Sequence, residues 1–122
     1  MKSIFINAET REIVSVDLND QLSDTYKMMD CHIVEGAMYL EKNDLLVVDE
    51  EGLFKGEKSG FYIDDVFVYG NAMVWGADDS GESDDCKTDI DFIHTRINWV
   101  DKEMSEQIRN SRLNAAPMVF SW

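Results

Sequence analysis

The sequence predicts an α+β fold: a mostly antiparallel sheet of about five or six strands, one short helix near residues 20–29, and one or two helices toward the C-terminal end. Three observations lead there. Short runs rich in Ile, Val, Phe and Tyr recur through the first hundred residues, separated by Gly, Asn, Asp and Glu. That is the punctuation of strands and tight turns. An apolar stripe at helical spacing follows them, at Ile90, Ile93, Ile97 and Val100. The chain has 122 residues, 44% of them hydrophobic, enough for one core without disulfide or metal staples.

Taken in order, Lys2 to Asn7 reads as a strand, and Arg11 to Leu18 returns after the turn Ala8-Glu9-Thr10. Asn19 or Asp20 caps a short helix, Asp20 to Met29, with Leu22, Tyr26 and Met29 on one face. Cys31 to Leu40 reads as a strand interrupted at Gly36. Leu45-Leu46-Val47-Val48, bracketed by Asp44 and Asp49, is a continuous apolar run, as a strand buried on both faces requires. Glu50-Glu51-Gly52 turns the chain, and Leu53-Phe54 re-enter the core. Phe61-Tyr62-Ile63 and Val66 to Tyr69 are short strands split by Asp64-Asp65. Asn71 to Trp75 is a further strand bounded by Gly70 and Gly76.

Ala77 to Lys87 reads as a polar acidic loop. Thr88 caps the helix that carries the isoleucine stripe, with Asp89 and Asp91 at the positive end of its dipole. A second helix, Asp101 to Asn114, ends at Pro117. The tail Met118 to Trp122 is apolar and expected to be buried, on its own domain or in a homodimer. Residues 1–100 thus form an acidic α+β domain. Residues 101–122 are a C-terminal helical extension and apolar tail of the same unit.

Charge excludes some partners. Twenty-five Asp and Glu face eleven Lys and Arg, a net charge of −14. Direct binding to nucleic acid or to an anionic membrane is disfavoured, since both are polyanions. The acidity belongs to residues 1–100; beyond them acids and bases balance. Solubility alone is the plainer account of such an excess. No apolar leader or membrane-length run is visible, so a cytoplasmic protein with reduced Cys31 and Cys86 is expected.

Chemistry-bearing constellations are sparse. Cys31 and His32 adjoin, but neighbours on a strand point to opposite faces. Cys31, His32, Cys86 and His94 have no metal-finger spacing. Asp78 to Asp85 is rich in calcium-ligand residue types but breaks the EF-hand pattern, and a solvated, mobile loop is the plainer reading. No phosphate loop, dinucleotide fingerprint, zinc-helix motif or nucleophile elbow is present. No catalytic residue, metal or cofactor is therefore expected.

One segment, Val48-Asp49-Glu50-Glu51-Gly52-Leu53-Phe54, has company that makes it informative. With it go Lys2-Ser3-Ile4-Phe5-Ile6, Phe61-Tyr62, the block Gly70 to Gly76, Gly81-Glu82-Ser83 and the helix opening at Thr88. In this order and spacing, residues 2–100 resemble the small proteins of Domain of Unknown Function 3846, common in phage, prophage and plasmid genomes. The family has no established catalytic residues, so the resemblance transfers none. Ile63-Asp64-Asp65-Val66 departs from the family pattern, in which a proline is expected before the glycine-bounded strand.

The resemblance and the charge together imply a non-enzymatic inhibitor of a host defence nuclease, a CRISPR effector or a restriction enzyme, in the cytoplasm of a bacterial host. Carboxylates on alternate strand positions lie roughly 6.8 Å apart, close to successive phosphates of one strand. The expected partner is a basic nucleic-acid-processing protein. The expected contact residues are Asp78, Asp79, Glu82, Asp84 and Asp85, helped by Asp49, Glu50 and Glu51. An alternative is a small-ligand binder that sequesters a nucleotide signal, with Tyr62, Tyr69 and Trp75 stacking on the base. A third is an accessory protein with no inhibitory role.

Overall fold

The computed structural model describes the backbone of residues 1–119 and the side chains of residues 1–114. Within these the chain forms, in order, β1 (Lys2–Asn7), β2 (Glu12–Asp17), α1 (Gln21–Met29), β3 (Val34–Tyr39), β4 (Leu45–Asp49), β5 (Gly60–Ile63), β6 (Val66–Tyr69), β7 (Ala72–Ala77), β8 (Ser83–Asp84), α2 (Ile90–Arg96), β9 (Ile97–Val100) and α3 (Lys102–Val119). The fold is α+β, as the sequence predicts. All strand pairs are antiparallel, in a main sheet ordered β2-β1-β7-β4-β3, with β8 on β7, and a small sheet ordered β6-β5-β9. No described helix is long and apolar enough to cross a membrane.

β7 is the central strand, with Ala72, Met73 and Val74 fully buried. It pairs with β1 through Ile4↔Val74 and with β4 through Leu46↔Val74. One face of the main sheet packs Ile4, Ile6, Leu46 and Val74 against Phe61, Ile63 and Val68 of the small sheet and Ile93 of α2. The other face packs Val47 and Met73 against Leu18, Met29 and Cys31 beneath α1. Two covered faces explain why β4 is apolar at successive positions instead of alternating.

Asp20 is the N-cap of α1, its Oδ1 accepting from Ser23 N at 2.9 Å. Asp24 reaches back to accept from the Asn19 and Asp20 amides. The first bond satisfies a free amide of the first turn, and the Asp20 and Asn19 amides hold the Asp24 carboxyl below its ordinary value. The helix buries Thr25 and Met29. Of the expected stripe Met29 is buried, whereas Leu22 is 47% exposed; Thr25 turns inward and accepts from Trp75 Nε1 at 3.0 Å.

The isoleucine stripe is divided between two elements. Ile93 is buried and lies in α2. Ile97 and Val100 lie in β9, where Ile97↔Ile63 and Val100↔Gly60 extend the small sheet. The β-branched ends and Trp99 suit a pleated edge, and Ile97 and Trp99 satisfy a period of two as well as the helical one. Thr88 does not cap α2; Asp89 occupies that position. α3 runs past Pro117 to Val119 instead of stopping before it. The side chains of the tail Met118 to Trp122 lie outside the described residues, as does the homodimer contact expected of them. Phe54, expected in the core, is 74% exposed, because Gly52–Phe54 form a short 3₁₀ turn on the surface.

Asp44 is the one fully buried carboxylate among the described residues. Its Oδ2 accepts from Lys87 N (2.7 Å), Thr88 N (2.6 Å) and Thr88 Oγ1 (2.7 Å), while Oδ1 has no protein partner. The start of β4 is thereby bound to the segment that leads into α2.

Two substitutions test this packing. Ile93→Ala is expected to destabilise by about 2–5 kcal/mol in denaturant melts, as a large-to-small core change. Asp44→Ala leaves buried donors unpaired at about 1–3 kcal/mol each. It is expected to cost more than Thr88→Val, which removes one of those donors together with its bond.

Candidate functional site

The main sheet has two polar ends, and the acids singled out in the sequence are divided between them. Because β4 and β7 are antiparallel, Asp49 at the end of β4 lies beside Asn71 and Ala72, while Asp78 follows the far end of β7. β4 has five residues, so its ends are about 13 Å apart at a rise of about 3.3 Å per residue. Asp49, Glu50 and Glu51 therefore do not join Asp78, Asp79, Glu82, Asp84 and Asp85 in one cluster.

At the first end, the loop expected over residues 77–87 contains a short hairpin, β7 turning into β8. Ser83 and Asp84 pair with Ala77 and Gly76. Asp78 Oδ1 accepts from Ser80 N, Ser80 Oγ and Glu82 N at 2.9, 2.6 and 3.0 Å. The Ser80 hydroxyl and these amides hold the Asp78 carboxyl below its ordinary value. Gly81, at φ 87°, supplies the left-handed turn residue. The return leg crosses so close to β7 that a Cβ on Gly76 would stand 2.3 Å from the Asp85 carbonyl oxygen.

Asp85 Oδ1 accepts from Lys2 N at 2.7 Å, and Cys86 N donates to Lys2 O at 2.8 Å. All five hairpin acids are exposed. Ser83 Oγ donates to Gln21 Oε1 at 2.9 Å, which places the hairpin beside the N-terminus of α1. Asp17, paired with the terminal ammonium at 2.9 Å, and the α1 cap Asp20 join the acids there. These two were missed in the sequence, which gives no sign that residues sixty positions away share the edge.

At the second end, Asp49 Oδ1 accepts from Glu51 N at 2.9 Å and Oδ2 pairs with Lys55 Nζ at 2.6 Å. Lys55 also donates to Asp30 O at 3.0 Å, and the Asp49 bond raises its ammonium above its ordinary value. Asp49 is thus a turn-maker and ion-pair partner, while Glu50 and Glu51 are exposed. Tyr69 OH donates to Glu106 Oε1 of α3 and accepts from Lys58 N at 2.9 Å. Glu57 N donates to the same Glu106 oxygen, and Arg109 Nε donates to Leu53 O. α3 therefore ties down the whole segment 53–58.

The family model described as a domain of unknown function, DUF3846, matches residues 1–98. The chain belongs to this family. No curated protein and no solved structure matches it. The DUF3846 match spans both sheets, α1 and α2 and ends inside β9, so α3 lies beyond it. The motif Val48 to Phe54 is the turn that α3 clasps. The departure at Ile63-Asp64-Asp65-Val66 is a two-residue hairpin turn, with Ile63↔Val66 paired and Asp64 at φ 52°.

The aromatic trio does not converge. Tyr62 and Tyr69 lie on the outer face of the small sheet, with Phe67 between them 5.2 Å from the Tyr62 ring and Arg109 over Tyr69. Trp75 is on the far side of the main sheet, under α1. Cys31 and Cys86 are both buried, and burial pushes both thiols up. Among the described residues no three of His, Cys, Asp and Glu are grouped to hold a metal, so the histidines and cysteines weighed as a zinc set stand apart.

The Tyr69–Glu106 contact sets a pH dependence. Burial, then the Glu106 bond, pushes Tyr69 from 10.0 up to about 12, so its contribution to stability is complete below pH 10.0 and lost as pH rises toward about 12. The Tyr69 bond holds Glu106 below its ordinary value of 4.5, so its contribution is present above that pH and lost as pH falls. In thermal melts across pH, Tyr69→Phe is expected to flatten both limbs. A wild-type profile unchanged by the substitution would show that α3 is held elsewhere.

Proposed function

We propose that the protein is a non-catalytic binder that occupies the basic, nucleic-acid-handling cleft of another protein, acting as an inhibitor of a host defence nuclease in the bacterial cytoplasm. The observation that supports this most is the acidic end of the main sheet. Asp78, Asp79, Glu82, Asp84 and Asp85 are exposed on a hydrogen-bonded hairpin, with Asp17 and Asp20 beside it. Carboxylates held on ordered backbone lose little freedom on meeting lysines and arginines, which favours binding. The second end contributes less, because Asp49 is already neutralised by Lys55. Sequestration of a nucleotide by stacking has weaker support, since Tyr62 and Tyr69 are separated from Trp75 by the main sheet.

Capture from a bacterial lysate, followed by kinetics with the bound protein, tests the proposal. Association is expected to slow steeply with added salt, as exposed charges are screened beyond about 8 Å at physiological ionic strength. Neutralising Asp78, Asp79, Asp84 and Asp85 to Asn is expected to slow it likewise at constant salt. The captured protein is expected to lose its own DNA or RNA when this chain is added. Equal binding at high salt would overturn the proposal.

A further inference from the structure

The flank of α1 adds something that charge alone does not. Beside the helix lies an open, shallow concavity of about 750 Å³ in which Leu22 and Tyr26 lie among charged and polar residues. Leu22 and Tyr26, one helical turn apart, are among its lining residues. The buried face of α1 is spent on Thr25 and Met29, so Leu22 is left 47% exposed. A single exposed leucine is unremarkable. One set beside Tyr26 in a concavity edged by charged residues has the anatomy of an interface anchor, an apolar centre with a polar rim.

The rim has a direction. Asp20 borders the concavity at the N-terminal end of α1, and the Gln21–Ser83 bond continues that end into the acidic hairpin. Lys27 and His32 border it at the other end, with Asp30 between. A second copy of this chain would bring another −14 charge to the same surface. The complementary occupant is instead a basic segment carrying one bulky apolar side chain.

We infer that the α1 concavity is the apolar anchor point of the partner surface, taking that side chain while the cationic end of the segment runs toward the β7–β8 hairpin. The inference rests on the reading above that the partner is basic. It makes the interface part apolar, and it fixes the direction in which the partner lies.

Two synthetic peptides test it on the full chain, Trp-Gly followed by six lysines and Ala-Gly followed by six lysines, by calorimetry and amide shift mapping at low salt. The Trp peptide is expected to bind at least about tenfold tighter, the worth of burying part of a large apolar side chain. Its shifts are expected on α1 residues as well as on the hairpin. Leu22→Ser is expected to abolish the Trp advantage with unchanged melting and unchanged binding of the Ala peptide. A combined Asp79→Asn, Glu82→Gln and Asp84→Asn variant is expected to weaken both peptides while keeping their ratio.

Equal binding of the two peptides, or a Trp advantage that survives Leu22→Ser, overturns the anchor and leaves the acidic reading standing. Failure of both peptides to bind overturns the acidic reading and the anchor with it. A wild-type dimer in sedimentation that Leu22→Ser dissociates would assign the concavity to a second copy and overturn the inference.

Discussion

The carboxylate of Asp44 binds the approach to β4 to the segment that leads into α2. It sits at the start of β4 and binds the backbone of Lys87 and Thr88, more than forty residues away. On one side of that grip is the return leg of the β7–β8 hairpin, which reaches β1 through Asp85 and Cys86. On the other is α2, which delivers Ile93 to the core. A buried polar group is costly when its hydrogen bonds are lost. The sheet, the acidic hairpin and the helix therefore become mutually dependent, because each supplies part of the setting in which Asp44 is tolerable.

The same economy appears at the opposite end of the main sheet. There the polar groups are spent on one another, Asp49 with Lys55 and Tyr69 with Glu106, and a helix from beyond the family region closes over the turn. The two ends carry similar residues to different effect. One pairs Asp49 with Lys55 and Tyr69 with Glu106, and the other keeps five carboxylates exposed on a hydrogen-bonded support.

Much of the fold was legible because its signals are local. The run Lys2 to Asn7 marks β1 at its observed limits, and the capping aspartate and the apolar run Leu45 to Val48 mark α1 and β4. What was not legible depended on distant partners. Ile97 and Val100 fit a helical stripe equally well until β5 is there to pair with them. Thr88 looks like a cap, but it is claimed by Asp44 from another strand. The acids of residues 78–85 were visible as a cluster, whereas their bonded hairpin, the contribution of Asp17 and Asp20, and the separation of Asp49 all follow from the antiparallel order of β1, β7 and β4. Glu106 and Arg109 carried no signal, because their partners are Tyr69 and the carbonyl of Leu53.

Gly76 bears on how other chains of this fold can be read. Its missing side chain is what lets the backbone of Asp85 and Cys86 lie directly against β7. Any larger residue there would lift that segment off the sheet, and Asp85 on it would no longer stand where it does. The glycine at this point in the block Gly70 to Gly76 thus reports on the path of the chain ten residues later. In a relative of unknown structure, its presence or absence would be a one-letter indication of whether the acidic end is built the same way.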